Sequence, residues 1–159
     1  LDLQDLIASV DAGEQALALT RFDAQDAWWL GSRLRELGMA RRAPVAIEIR
    51  RAGTTLFLSL LPGATQDNLE WIRRKIALVM RFERSSYAMG LKFRMTEGSF
   101  EAFGLDLATY VGAGGAVPLR LAGTGVIGAV AVSGLPQEID HAMVIEALGD
   151  LKAHQAGQG

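Results

Sequence analysis

The sequence predicts an α+β domain: an antiparallel sheet covered by helices on both faces. Three observations predict it. Two pairs of β-like runs are each joined by a tight glycine turn, 45–51 with 54–61 and 114–123 with 126–134. Helical periodicity appears before, between and after those pairs. Short turns between strands imply antiparallel neighbours, and helices flanking them imply cover on both sides.

Taken in order, Leu3, Leu6, Ile7 and Val10 fall at helical spacing, which predicts a helix over 2–13. ALALTRF (16–22) alternates and predicts a short strand. Asp23 is a good N-cap, and Ala27, Leu30, Leu34 and Leu37 form one stripe behind it, weakened near the end by Gly38. VAIEIRR and TTLFLSLL predict a hairpin turning at Ala52-Gly53. A long helix is expected from about Gln66 to Ser85, with Leu69, Ile72, Ile76, Val79 and Met80 on its buried face. Residues 86–113 read ambiguously, as a continued helix or a strand broken by glycine turns. GGAVPLRLAG and VIGAVAVSG predict two further strands, making five in all. VIGAVAV lacks polar residues and should be central and buried on both faces. Pro136 opens a last helix to about Ala153, with Ile139, Met143, Val144 and Leu148 inward. The expected organisation is one domain, 1–153, with a frayed tail at 154–159.

Bulk properties remove several function classes. The chain has 159 residues, 50% hydrophobic and 21% charged, with a formal net charge of −2. That balance, with a pI near 5.7, argues against a nucleic-acid binder, which usually carries a basic domain. There is no cysteine, so thiolate metal sites, iron–sulfur clusters and a cysteine nucleophile are excluded, and a reducing compartment fits. The first fifteen residues carry acids where a secretory signal has a basic start. No apolar run approaches the roughly 20 residues of a membrane helix. The expected location is cytoplasmic.

The motifs favour turns over chemistry. GTGVIG (123–128) matches G-x-G-x-x-G, but another β-like run follows it where a dinucleotide site needs a helix. It reads as a hairpin turn. Ser133, Asp140 and His141 do not make a triad: neighbouring helical residues diverge by about 100°, so Asp140 cannot orient His141. The Ser133-Gly134 turn instead sits at a helix start, where free N–H groups and the dipole attract a carboxylate or phosphate. The alternative is a plain capped turn, with Glu138 meeting the dipole. Gly114-Gly115 before Pro118 allows close approach of a ligand, or simply leads into an edge strand. On the long helix, Arg73, Arg74, Lys75, Arg81 and Arg84 form a basic segment. Trp71, Arg74, Leu78 and Arg81 share one face, suited to a protein partner, a subunit or an anionic ligand, or else merely solvated. No carboxylate pair joins either of the two histidines, His141 and His154, at useful ligand spacing, and His141 is expected partly exposed.

DNLEWIRRK, RFERSS, GGAVPLRL and GTGVIGAVAVSGLPQEIDHAMVIEAL together resemble the haem-degrading, HbpS-like (GlcG-like) domain family, closest to its uncharacterised bacterial and yeast branch. Gly114, Gly115, Pro118, Gly125, Gly128, Ser133, Gly134 and Asp140 match the family pattern, with Leu119 in place of Ile. The R-K-x-N of close relatives is departed from here, since Ile76 and Ala77 follow Arg74-Lys75. The resemblance implies a profilin-like fold with a five-stranded antiparallel sheet, assembly into a homo-oligomer, and haem as one candidate cofactor.

Three functions follow as expectations. The first is a small homo-oligomeric protein binding haem or another small anionic ligand. Its ligand- or interface-binding residues would be Trp71, Arg74, Lys75, Arg81, Gly114, Gly115, Ser133, Gly134 and Asp140. The second is a non-enzymatic interaction or accessory protein using the Trp71-Arg74-Arg81 face. An enzyme acting on haem or a small anionic metabolite ranks last, for want of acids, bases and metal ligands.

Overall fold

A computed structural model describes residues 2–158. Six helices and four strands follow in the order α1 (Leu3–Gln15), α2 (Ala24–Ala40), β1 (Ala46–Arg51), β2 (Thr54–Leu60), α3 (Gln66–Phe82), α4 (Ser86–Met95), α5 (Ser99–Ala102), β3 (Ala116–Leu121), β4 (Gly125–Ser133) and α6 (Gln137–Gln158). The sheet is antiparallel, in the order β2-β1-β4-β3. Both hairpins form where the glycine turns predict them, and β4 is central, buried from Gly128 to Ser133.

The sheet has four strands, not five. The expected first strand, 16–22, contributes a single parallel bridge between Leu19 and Leu121. Leu19 N–H donates to Arg120 O, and Leu19 O accepts from Ala122 N–H, each at 2.8 Å. Helix α1 runs to Gln15 and Asp23 already caps α2, so too few residues remain to extend the pairing. That cap is a full box: Asp23 accepts from Asp26 N–H while Asp26 accepts from Asp23 N–H, both at 2.9 Å.

The long helix ends at Phe82, short of the expected Ser85. Glu83 takes a left-handed conformation at φ 57°, and Ser85 caps a separate helix α4 by accepting from Ala88 N–H. The ambiguous stretch is therefore helical over Ser86–Met95 and Ser99–Ala102, and forms turns and irregular backbone from 103 to 113. At the other end, α6 runs beyond Ala153 to Gln158, and His154 stacks on Trp29 with ring centroids 4.5 Å apart. Ile139, expected inside, is 51% exposed, whereas Met143, Val144 and Leu148 are buried as their spacing predicts.

The two sheet faces are built differently. Ile47, Ile49, Val117, Leu119, Val130 and Val132 pack beneath α2 and α6 in the larger core. On the opposite face Ala46, Ala116, Ala129 and Ala131 lie under Ile72, Ile76 and Val79 of α3. Strand alternation separates the two sets. Small side chains on the second face let α3 lie close to the sheet. Among the described residues, no helix is long and apolar enough to cross a membrane.

Candidate functional site

Close packing of α3 places Lys75 over the end of the sheet where β4 gives way to α6. Lys75 sits between Ile72 and Ile76 on the buried side of its helix and is 3% exposed. Its ammonium donates to Val132 O at 3.2 Å and to Asp140 Oδ2 at 3.3 Å. Asp140, 1% exposed, reaches back from the first turn of α6. Its Oδ1 accepts from Leu135 N–H at 3.1 Å and its Oδ2 from Gly134 N–H at 3.3 Å.

This arrangement changes the reading of the VSG turn. The N–H groups of Gly134 and Leu135, expected free for an incoming anion, are already taken by the chain's own carboxylate. Lys75 is likewise no member of a solvated basic face. Burial lowers the Lys75 pKa and raises that of Asp140; their mutual attraction opposes both shifts, and the two N–H donors further lower that of Asp140. A buried pair of this kind is held by its geometry rather than by any large net gain.

Glycine is required beside the pair. Gly115 has φ 137°, and a Cβ there would stand 2.4 Å from Val132 O and 2.7 Å from Lys75 Nζ. Gly114 is equally confined, since a Cβ would meet Gln137 O at 2.6 Å. Gly115 backs onto the Lys75–Asp140 pair and leaves room around the ammonium, while Gly114 packs against Gln137 and Tyr87.

In front of the pair lies a cavity of about 330 Å³. Asn68, Trp71 and Lys75 line it from α3, Ala113 from the approach to β3, and Ser133, Gly134 and Leu135 from the turn. Gln137 and Asp140 complete it from α6. The two amides have defined orientations. Asn68 Oδ1 accepts from Thr65 N–H at 2.8 Å, and Gln137 Oε1 accepts from Gly114 N–H at 2.9 Å. With both oxygens committed, the NH₂ ends remain, and among the described residues neither has a protein partner. The cavity is thus supplied chiefly with donors.

Of the residues singled out from sequence, Trp71, Lys75, Ser133, Gly134 and Asp140 meet in this cavity. Arg74 and Arg81 do not. Arg74 lies over the Trp71 ring at 4.4 Å and donates to Leu107 O at 3.0 Å. Arg81 donates to Phe103 O at 2.8 Å, and Arg73 to Ala108 O at 3.0 Å. Leu78, on the same face, is fully buried against Met89 and Leu105. Both arginines of the Trp–Arg–Leu–Arg face are tied to carbonyls of the chain's own 103–107 segment and Leu78 is buried, while Trp71 and Arg81 stay exposed; local spacing cannot reveal those ties.

Asn68 and Gln137 were missed. The available signals were Asn68 three residues after a capping Thr65, and Gln137 directly after Pro136. His141 is buried, not partly exposed: its ring lies 4.9 Å from Tyr87 and its Nδ1 has no partner. Desolvation lowers its pKa to about 4.

A larger cleft, about 530 Å³, lies between α2 and β2, lined in part by Trp28, Met39, Phe57 and Leu58. It contains no buried charge, and Arg35 at its wall is bonded to Ser59 Oγ. Chemistry therefore points to the smaller cavity. No cluster of three or more metal-ligating side chains exists among the described residues.

A haem would need an axial donor such as His, Met, Tyr or Cys. None lines the smaller cavity, and His154 lies elsewhere, beside Trp29. The residues of this cavity do not fit a protein-ligated haem.

Comparison with known proteins agrees with the fold. The chain is similar to a UPF0303 protein of Burkholderia thailandensis, 51% identical over 149 residues, covering 93% of this chain and 88% of the relative. Its backbone matches the crystal structure of Ybr137w with a TM-score of 0.87 and 31% identity, over 94% of this chain and 89% of the other. It also resembles PduOC, solved as a haem complex, with a TM-score of 0.68 and 19% identity over 80% and 93% of the two chains. That last likeness concerns the fold alone. Residues 22–149 match the model of the family described as haem degrading protein HbpS-like, and the chain belongs to that family.

Proposed function

We propose that this protein binds a small organic anion, such as a short carboxylic acid, in the cavity between α3 and the start of α6. One observation carries the reading. The cavity gathers the uncommitted NH₂ groups of Asn68 and Gln137 beside the buried Lys75 ammonium, with Trp71 at the rim. Apart from Asp140, which is already bonded to Lys75 and to the Gly134 and Leu135 N–H groups, the side-chain groups left over are mainly donors. They suit a ligand rich in oxygen lone pairs, and the cavity size suits a small one. The α3 and α6 N-termini both approach the cavity and add favourable dipole ends.

Binding is read from quenching of tryptophan fluorescence or by calorimetry across a panel of small carboxylates, with haemin titrated in parallel. Gln137→Glu and Asn68→Asp exchange a donor for a repelling charge and should each weaken binding at least ten-fold. Absence of binding by every acid, together with a Soret shift on adding haemin, overturns the reading in favour of haem.

Assembly into a homo-oligomer belongs to the same proposal. Its support is the open edge of β2, where Leu58 is 51% and Leu60 40% exposed, close to Trp28 at 67%. Unpaired strand edges with exposed apolar side chains invite pairing. Native mass determination measures the number of chains.

A further inference from the structure

We infer that the anion is an oxo acid, whose carbonyl carbon the Lys75 amine captures as an imine. This rests on the anion-binding reading and deepens it.

Lys75 is not needed merely to neutralise a bound carboxylate, because Asp140 already neutralises it at 3.3 Å. What the pair offers is an amine with a proton acceptor in contact, at the back of a cavity supplied with donors. Asp140 is held by Gly134 and Leu135 N–H groups, so it cannot swing away from the amine. Gly115 keeps the space beside Nζ free of a Cβ that would stand at 2.7 Å. Asn68 and Gln137 line the same cavity, and with their oxygens bonded to backbone N–H groups their NH₂ ends suit the ligand's carboxylate. Burial, which disfavours the ammonium, helps supply the neutral amine that attack requires.

The chemistry balances without an added reagent. The ammonium gives one proton to the Asp140 carboxylate, and the freed nitrogen lone pair bonds to the carbonyl carbon. The carbonyl oxygen gathers the Asp140 proton and a second proton from nitrogen, and leaves as water. Lys75 becomes an iminium and Asp140 is again ionised: R–NH₃⁺ plus O=C gives R–NH⁺=C plus H₂O.

The chain contains three lysines, Lys75, Lys92 and Lys152, which makes the test selective. The protein is incubated with pyruvate and borohydride, then digested and mapped by mass. Reduced pyruvate should be found first on buried Lys75, ahead of exposed Lys152. Lactate, which lacks the carbonyl, should protect Lys75 competitively. Asp140→Asn should slow Lys75 labelling at pH 7 about ten-fold or more, while Lys92 and Lys152 label as before. Labelling that follows exposure, with Lys152 first and Lys75 last in the unaltered protein, overturns the imine. If pyruvate and lactate still quench tryptophan fluorescence in that case, the anion reading survives without it. If neither they nor other small acids bind, both fall.

Discussion

The two faces of the sheet have the same backbone and opposite purposes. Beneath α2 and α6, branched side chains such as Ile47, Ile49 and Val130 fill the space. Beneath α3, alanines at 46, 116, 129 and 131 keep the side-chain layer thin. On that face the strands bury polar side chains of their own: Glu48, held by Arg50 and Thr55, and Ser133 next to the Lys75–Asp140 pair. The first face stabilises by bulk; the second gives up bulk so that a helix can bring a charged group to the end of a central strand. A fold of this size can hold an expensive polar site because its other face supplies most of the apolar burial.

The comparison is broken most sharply at the polar end. Asp140→Ala leaves the Lys75 ammonium buried without a partner and should cost about 4 kcal/mol. The double change Lys75→Met with Asp140→Leu should cost clearly less, since it removes both charges. Urea midpoints of the three proteins decide this, and a loss below about 1 kcal/mol in Asp140→Ala would show that the pair is solvated. On the other face, Ile47→Ala leaves a cavity against α2 and α6 and should cost about 3 kcal/mol in the same measurement. No ligand affinity should change with it, because Ile47 points away from the cavity.

A third test concerns acid. His141 is shifted from an ordinary 6.5 to about 4 by desolvation, so between those values the unfolded chain binds more protons than the folded one. Stability present above about pH 6.5 is therefore lost as pH falls through about 4. At pH 5 the deficit should be about 2 kcal/mol. Asp140 and Glu14 are raised by burial and act in the opposite sense, but both remain in His141→Asn. The difference between its pH–stability curve and that of the unaltered protein isolates the histidine; coincident curves would refute the shift.

Much of the fold was legible because it is written in local pattern. Alternation and glycine turns locate both hairpins, and the unbroken apolar run of β4 marks it as central. The segment 16–22 misled because its alternation is real, but the caps on either side leave it only one bridging residue. The site was half legible. Ser133, Gly134 and Asp140 stand out around a turn, yet only the folded chain shows that Asp140 closes that turn itself. Lys75 reads as one of a basic cluster, although its position between Ile72 and Ile76 marks it as inward-facing. Arg74 and Arg81 misled for the converse reason: their partners are carbonyls of residues 103–107, and a sequence does not display where a carbonyl points.

Pairing of Ala46 with Ser133 and of Arg51 with Gly128 fixes which end of the sheet is which. Both hairpin bends, at Ala52-Gly53 and Gly123-Thr124, fall at the far end from the Lys75 cavity. Gly123, Thr124 and Gly53 are exposed; a Cβ added at Gly53 would meet nothing within 4 Å, while Gly123, at φ 80°, is best left as glycine and Thr124 changed instead. These bends can be lengthened, labelled or tethered to a surface without disturbing the cavity, which makes them the natural handles for watching a ligand arrive.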